Sequence, residues 1–296
     1  MKTKTIDNHV AKMTRRTRAA LAQASQTPSA GMSPTSKTLP SISRGGVTLG
    51  LRSRGMAHGI AAANRKFYDA LWGKARLQRP ERFNTWPLVS QLLPSAPRRL
   101  ELGPGLRPRL PIEGTHFIDI SAPVVERLNA CGGIALSGEI GMLPFGDRTF
   151  DLVCAFDVIE HVDDDRRLFA ELSRVLEDDG ALIFSVPVHA NLWTAFDDLV
   201  GHARRYDPWE LLGMMASDQL ELEQSAAFGM QPSNPQLVAY GMWWLEHRRS
   251  WAMFWYNWVG MPLALLFQKR LHMVSGLIDT AGVDEIVLLC RRRRRS

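Results

Sequence analysis

The chain has 296 residues, 45% of them hydrophobic, which is enough for one domain with a sizeable buried core and flanking tails. Its net charge of +6 is unevenly distributed. Residues 1–63 contain ten Lys or Arg and one acid, and residues 291–295 are all Arg, whereas residues 64–290 carry eight more acids than bases. Because the folded part is acidic, we expect no nucleic acid to bind to it.

The cysteines and the two tails indicate the compartment. Cys131, Cys154 and Cys290 lack the spacing of metal ligands, so we expect no metal and no disulfide framework. Residues 1–63 are rich in Ser, Thr, Pro and Arg, which predicts a disordered basic tail, although an organelle transit peptide has a similar composition. No apolar signal segment is present, which favours a cytoplasmic protein. Residues 291–296 form a second basic tail, and both tails could contact RNA, acidic lipid or an acidic partner.

Strand-like apolar runs alternate with helical patterns along residues 64–290. A helical pattern begins near Asn64, and another covers residues 164–176. The strand candidates are residues 98–102, 116–120, 133–136, 150–156, 181–186, 220–226 and 284–290. This alternation is typical of parallel β-α units, so we expect an α/β fold with a doubly wound, mostly parallel, seven-stranded sheet.

The segment before the last strand is unusually apolar. Residues 250–268 include no charged side chain over 19 positions, close to the roughly 20 residues of a membrane span. A span would separate the last strand from its sheet, so we expect a hydrophobic helical insert at about 233–280 that forms a lid or lies on a membrane surface. Simple packing on the domain is the alternative. The tryptophans suited to a lipid headgroup boundary are Trp243, Trp244, Trp251, Trp255 and Trp258.

A glycine-rich turn and an acidic residue follow the first two strands. Glu101 to Gly105 reads Glu-Leu-Gly-Pro-Gly, and glycines without Cβ atoms let backbone approach a ligand closely. Asp119 closes the next strand, where a carboxylate can accept hydrogen bonds from ribose hydroxyls. Pro108 stands where a dinucleotide fingerprint requires its third glycine, which disfavours a nicotinamide-dependent oxidoreductase. With Pro111, it also prevents a long helix between residues 106 and 114.

In combination, these features resemble class I S-adenosylmethionine (SAM)-dependent methyltransferases of the type 11 group. Residues 101–105 are similar to their first motif, and Asp119 matches the acidic residue of their second strand. Residues 139–145 and 156–161 resemble the loops after their third and fourth strands. The resemblance covers residues 98–190 and implies a Rossmann-like methyltransferase fold with SAM as the cofactor.

The resemblance also implies which residues bind the cofactor. They are Glu101, Gly103, Gly105, Arg107, Asp119, Ile120, Glu139, Ile140 and Phe156. The first three would line the methionine end, and Arg107 could replace the carboxylate contact that the shortened loop removes. Asp119 would hold the ribose. Ile120, Glu139 and Ile140 would surround the adenine, with Phe156 beside the sulfonium.

The acceptor side is less specific. Methyl transfer needs mainly alignment, because a sulfonium is already a strong electrophile, but an oxygen acceptor also needs a base. The candidate bases are His161, His202 and Tyr206, and bracing of a loop is the alternative for His161. Arg204 and Arg205 would bind an anionic or hydroxylated acceptor, unless they form ion pairs with neighbouring aspartates such as Asp197 or Asp198.

The sequence therefore predicts a SAM-dependent methyltransferase that acts on a small-molecule acceptor by in-line displacement. The aromatic insert favours a lipophilic acceptor and, with the basic tails, contact with a membrane surface. Two alternatives stay open. One is a SAM-binding regulatory or scaffold protein without catalysis, and the less favoured one is the nicotinamide-dependent oxidoreductase.

Overall fold

A computed structural model of the chain describes residues 69, 72–73, 75–229, 240–241, 243–244 and 247–294. All of them belong to the same unit, Arg52–Ser296. The predicted disordered tail, residues 1–63, lies outside the described residues, as does most of the helix predicted to begin near Asn64. Asp69 and Trp72 are helical.

Eight strands form one sheet. They are β1 (Arg99–Leu102), β2 (Thr115–Asp119), β3 (Ile134–Ser137), β4 (Phe150–Ala155), β5 (Leu176–Pro187), β6 (Leu220–Phe228), β7 (Val274–Ser275) and β8 (Glu285–Arg292). Their order is β3-β2-β1-β4-β5-β8-β6-β7. The first five pair in parallel, whereas β8 is antiparallel to β5 and β6, and β7 is antiparallel to β6. The predicted mostly parallel α/β sheet is confirmed.

Helices cover both faces of the sheet. The α-helices are α1 (Trp86–Leu92), α2 (Ala122–Asn129), α3 (Asp165–Val175), α4 (Ala195–Val200), α5 (Pro208–Ser217), α6 (Arg249–Trp255) and α7 (Met261–Phe267). Successive residues of a strand point to opposite faces. Accordingly, Val153 of β4 packs with α3 and α5, and its neighbour Cys154 packs with α1 on the other face. The sheet therefore lies between two packed layers, and the carboxyl ends of its parallel strands share one edge.

The elements differ from the sequence prediction in three places. The edge strand β7 has only two residues, too few to show a periodic pattern. The strand β5 begins at Leu176, five residues earlier than expected, and a register shift opposite Phe150 and Leu152 accommodates its irregular start. The strand β8 continues to Arg292, into the predicted basic tail, because its arginines pair with acids of β6, such as Arg291 with Glu223 at 3.1 Å. As predicted, no helix forms between residues 106 and 114.

The predicted insert at about 233–280 is helical from Arg249 to Phe267, but residues 268–280 are not helical and include β7. The helix α6 leads through one π-helical turn, Tyr256–Gly260, directly into α7. Met261 and Leu265 pack on Phe83 in a small apolar cluster. The opposite side carries exposed large apolar side chains: Trp251, Phe254, Trp255, Trp258, Leu263, Leu266 and Phe267. Within the described part of the chain, no helix has the length and hydropathy needed to cross a membrane.

Candidate cofactor and acceptor site

The turn after β1 can be built only with glycine. Gly103 and Gly105 have φ values of 56° and 53°, in the left-handed region that favours glycine. A Cβ atom would lie 2.5 Å from Cγ2 of Val158 if added to Gly103, and 2.3 Å from Cζ2 of Trp72 if added to Gly105. Both backbone conformation and space therefore require these glycines, and their turn stands at the open end of the sheet.

Asp119 links this turn to the end of β2. Its Oδ2 accepts a hydrogen bond from the amide of Gly105 at 3.0 Å, and its Oδ1 accepts one from the amide of Ser121 at 2.8 Å. Burial raises the pKa of Asp119 to about 6, although the amide hydrogen bonds oppose the shift. Each carboxylate oxygen has lone pairs left over, so the group can still accept hydrogen bonds from a ligand.

Glu101 shapes the loop that replaces the usual helix. Its carboxylate accepts hydrogen bonds from the amides of Arg109, at 2.8 and 3.1 Å, and Leu110, at 3.0 Å. The side chain is buried, and desolvation raises its pKa to about 7. The structure thus places the carboxylate of Glu101 against the backbone of Arg109 and Leu110, which it holds in the loop after Gly105.

Arg107 connects the same loop to the insert. Its guanidinium carbon lies 5.0 Å from the ring centre of Trp72 and 4.9 Å from that of Tyr256, within cation–π range. Its Nη1 donates a hydrogen bond to the Tyr256 hydroxyl at 3.0 Å. Its Nη2 is buried, and no described residue accepts a hydrogen bond from it. One donor of this half-buried cation is therefore available to an anionic ligand group.

The residues predicted around the adenine lie at the adjoining strand ends. Ile120 is half-buried beside Asp119, Ile140 is buried in the main core, and Glu139 is exposed. The amide of Gly138 donates to the carbonyl oxygen of Asp119 at 3.1 Å, which joins the loop after β3 to the end of β2. The three residues predicted around the adenine and Asp119, predicted for the ribose, therefore share one edge of the sheet.

A second cluster of polar side chains, which the sequence did not indicate, lies after the end of β4. Its members are Arg109, Asp157, Ser185 and Glu285. Phe156 is buried, and the guanidinium of Arg109 lies 5.2 Å from its ring and 3.9 Å from that of Phe83. The Ser185 hydroxyl donates to Oδ1 of the neighbouring Asp157 at 2.5 Å. Glu285, at the start of β8, faces Asp157, and burial together with that carboxylate raises the pKa of Glu285 well above its usual range. Both effects favour the protonated form of Glu285.

The two predicted histidines meet beside Glu160. The rings of His161 and His202 are 4.9 Å apart. Nδ1 of His202 lies 2.8 Å from Oδ1 of Asp197, and its Nε2 lies 3.6 Å from Oε1 of Glu160. Burial and the neighbouring His202 lower the pKa of His161 to about 4, and burial lowers that of His202 as well. Both imidazoles are therefore neutral near pH 7.

The remaining predicted acceptor residues have protein partners. Arg205 is buried and donates to both oxygens of Asp197, at 2.8 and 3.0 Å, and to Asp284 at 2.6 Å. The ion pair with Asp197, one of the two predicted alternatives, is thus what forms. Arg204 pairs with Asp165 at 2.5 Å. The Tyr206 hydroxyl donates to the same Asp165 at 3.2 Å, and burial raises its pKa, so it is directed away from the histidines and is a poor base.

Comparisons with known proteins agree with this geometry. Residues 109–184 match a family model described as a methyltransferase domain. A SAM-dependent methyltransferase from Thermotoga maritima is 17% identical, with a TM-score of 0.50 over 80% of this chain and 98% of its own. One from Mesorhizobium loti is 15% identical over 72% and 100%, with a TM-score of 0.44. A Haemonchus contortus phosphoethanolamine N-methyltransferase, solved with S-adenosylhomocysteine, is 14% identical over 71% and 53%, with a TM-score of 0.44. No curated protein matches the chain.

The family-model match and the fold together confirm the predicted class. Residues 109–184 match a methyltransferase domain, and the Rossmann-like sheet has the fold of a SAM-dependent methyltransferase of known structure, which supports SAM as the cofactor. The match begins at Arg109, just after the glycine-rich turn, and ends within β5. It thus includes Asp119, the loop after β3 and the end of β4.

Proposed function

We propose that this chain transfers the methyl group of SAM to a small-molecule acceptor. The observation that carries the proposal is the hydrogen bond between the Gly105 amide and the Asp119 carboxylate. It joins a turn without side chains to a buried acceptor group at adjacent carboxyl ends of parallel strands, where open α/β sheets bind nucleotides.

The cofactor would lie across these strand ends. In this arrangement Asp119 accepts hydrogen bonds from the ribose, and Ile120 and Ile140 flank the adenine, whose edge Glu139 contacts. Gly103 and Gly105 line the methionine part. Phe156 stands on the sulfonium side. Glu101 contributes indirectly, because its hydrogen bonds fix the loop that follows Gly105.

Arg107 is our candidate for the methionine carboxylate. The loop after Gly105 forms no helix whose N-terminus could bind that group. The buried Nη2 of Arg107, which no described residue engages, offers a charged donor in its place. Hydrogen bonds between charged groups are shorter and stronger than neutral ones, so this contact would compensate for the missing helix.

The acceptor would approach from the His161 and His202 side. Its nucleophilic atom attacks the methyl carbon, the bond between that carbon and sulfur breaks, and the electron pair stays on sulfur to give S-adenosylhomocysteine. An acceptor O–H or N–H must also lose a proton, and the neutral imidazoles of His161 and His202 are the nearest groups among the described residues that could receive it.

The first test is calorimetric titration of SAM and S-adenosylhomocysteine into the full chain and an Asp119→Asn variant. Losing the charged ribose contact should weaken binding by about ten- to a hundredfold, equivalent to roughly 1.5–3 kcal/mol. The matched control is Glu126→Gln, which neutralises an exposed carboxylate on α2, one element further along. It should bind both ligands like the unchanged chain.

Three results would count against the proposal or a part of it. If the folded chain bound neither ligand, the glycine-rich turn would not be a cofactor site. If it bound SAM but methylated no acceptor in a broad screen with radiolabelled methyl groups, the non-catalytic scaffold would become the better interpretation. Equal binding by the Asp119→Asn and Glu126→Gln variants would remove Asp119 from the site.

We also infer a lipophilic acceptor and a membrane-surface contact from the insert. Its outward rings form one apolar surface, and no acid occurs between residues 247 and 278, whereas Lys269 and Arg270 are exposed. Aromatic rings beside basic side chains suit an anionic lipid surface. Replacing Trp251, Trp255 and Trp258 with Gln should abolish co-sedimentation with phosphatidylglycerol vesicles.

The matched control for the vesicle experiment is Trp209→Gln, which removes an even more exposed tryptophan from α5. That variant should sediment like the unchanged chain. Unaltered sedimentation and unaltered turnover in the triple variant would show that the insert neither binds lipid nor admits a lipophilic acceptor.

A further inference from the structure

We propose that Glu160, His161 and His202 form a binding site for a divalent transition-metal ion, with Zn²⁺ as the best fit. Each residue offers one ligand atom, and the three atoms lie within 4.8 Å of one another. Two imidazoles and one carboxylate are a ligand set of catalytic zinc sites, which use three protein ligands and leave a fourth position open.

The spacing of these atoms is close to that of a loaded site. Oε1 of Glu160 and Nε2 of His202 are 3.6 Å apart. Two ligands bound tetrahedrally at about 2.1 Å from zinc would be roughly 3.4 Å apart. That pair therefore needs almost no movement, and His161 needs to approach by little more than 1 Å at most.

The carboxylate of Glu160 supplies independent support for a cation. Glu160 is 2% exposed, and its Oε2 is buried without a hydrogen-bond partner among the described residues. A buried carboxylate oxygen without a donor is costly, and a metal ion at the centre of the three side chains would satisfy it. The buried arginine of this region, Arg205, forms its ion pairs with Asp197 and Asp284 and not with Glu160.

The histidines are also held as metal ligands are usually held. Nδ1 of His202 lies 2.8 Å from the buried carboxylate of Asp197, and Nδ1 of His161 lies 3.2 Å from the carbonyl oxygen of Gly201. Metal-ligating histidines almost always donate their other ring N–H to a carboxylate or carbonyl, which fixes the tautomer. His202 would therefore ligate through Nε2, and Arg205 holds Asp197 in turn.

The chemistry of the three ligands selects the metal. Imidazole nitrogens suit Zn²⁺ and related transition ions, whereas Mg²⁺ prefers oxygen ligands and octahedral geometry. The open fourth position would face the acceptor side of the site. This role rests on the proposed methyl transfer: an acceptor hydroxyl bound to the ion would release its proton to solvent near neutral pH, since a bound cation lowers the pKa of its ligand. With the ion bound, the ligating imidazoles would not act as the bases.

Sequence spacing alone could not indicate this site. We expected no metal because the cysteines lack ligand spacing, and Glu160 and His161 are separated from His202 by forty residues. The exit loops of β4 and β5 bring them together, and the amide of Ala203 donates to the carbonyl oxygen of Glu160 at 2.8 Å across that gap.

The test is calorimetric titration of Zn²⁺ and Mg²⁺ into the chelator-treated full chain, with the visible spectrum of added Co²⁺ as a report on coordination. We expect one equivalent of Zn²⁺ to bind and Mg²⁺ not to compete. The variant His202→Asn keeps a donor toward Asp197 but removes Nε2, and it should weaken Zn²⁺ binding at least about a hundredfold. Glu160→Gln should weaken it as well.

The matched control is His272→Asn, which removes an exposed histidine outside the cluster and should leave Zn²⁺ binding unchanged. If the unchanged chain bound no Zn²⁺, or if His202→Asn and His272→Asn bound it equally, the proposal would be overturned. Titration of SAM into the same chelator-treated protein separates the two proposals. SAM binding without Zn²⁺ binding would reject only the metal site, and the reverse would reject only the proposed function.

Discussion

The two ends of the site hold their buried carboxylates in different ways. At the cofactor end, Glu101 and Asp119 are held by backbone amides, and their pKa values are raised to about 7 and about 6. At the acceptor end, burial would raise the pKa of Asp197, but hydrogen bonds, first of all from Arg205, outweigh it and lower the pKa to about 2. Amides satisfy the carboxylate oxygens of the first pair without neutralising their charge.

The carboxylates of Glu101 and Asp119 are hydrogen-bonded to neutral amides, so their charge can still be neutralised by a cationic ligand. The charge of Asp197 is already neutralised by Arg205. In the proposed site, SAM would bring its sulfonium and ammonium charges to the end where no cationic side chain donates a hydrogen bond to the Glu101 or Asp119 carboxylate. At the other end, Arg205 provides the charge internally and fixes the loop that presents His202. The largest stability effects should therefore come from the acceptor end, and the largest pH effects from the cofactor end.

We expect the largest loss in the free energy of unfolding when Arg205 is replaced with Met. The variant leaves Asp197 buried without its cation, and removing one partner of a buried ion pair typically costs about 3–5 kcal/mol of the free energy of unfolding. The neighbouring Arg204→Met is the matched control, because Arg204 is partly exposed and its pair with Asp165 is worth about 1 kcal/mol or less. Urea denaturation should separate the two variants. Equal losses would mean that Asp197 does not depend on Arg205.

The cofactor end should instead show a pH-dependent stability. Glu101 has a pKa of about 7 in the folded chain and an ordinary value near 4.5 when unfolded. Between these values the folded state binds more protons, so its stability falls as pH rises through the window. The shift corresponds to a loss on the order of 3 kcal/mol by pH 7.

Comparison with Glu101→Gln isolates this effect, because groups common to both proteins cancel. The difference in free energy of unfolding between the unchanged chain and the variant should shrink from pH 4.5 to pH 7. Saturating SAM should flatten the curve of the unchanged chain, since a nearby positive charge favours the ionised carboxylate. Parallel pH curves for the two proteins would show that Glu101 ionises normally.

The same contrast explains which parts of the site the sequence could predict. The glycine-rich turn and Asp119 follow from local patterns at strand ends, and the interruption of the helix follows from Pro108 and Pro111. The pairing of Arg205 with Asp197 was one of two alternatives, because the residues are near in sequence and only the turn after α4 decides between them. No local sequence pattern indicates whether Arg205 pairs with Asp197 or binds an acceptor.

Contacts between distant segments could not be predicted at all. Arg109, Ser185 and Glu285 come from a loop and two strands, and they meet only because β8 inserts between β5 and β6. Asp157 and Glu160 lie inside the segment that carries the family resemblance. The resemblance predicts that they follow the fourth strand, but it does not predict which side chains they contact. The order of the strands in the sheet thus decides which side chains meet at the strand ends. The alternation of strands and helices along the sequence does not fully determine that order.

The contact of the insert with the cofactor loop offers the smallest and most specific test. Tyr256→Phe removes the hydroxyl that accepts a hydrogen bond from Arg107 but keeps the ring beneath its guanidinium. We expect a loss of about 0.5–1.5 kcal/mol in the free energy of unfolding, and weaker SAM binding because Arg107 becomes less ordered. Tyr240→Phe, an exposed ring of the same insert, should change neither quantity. If both variants behaved like the unchanged chain, the insert would not help to position Arg107, and its aromatic surface would have to be explained by an external contact instead.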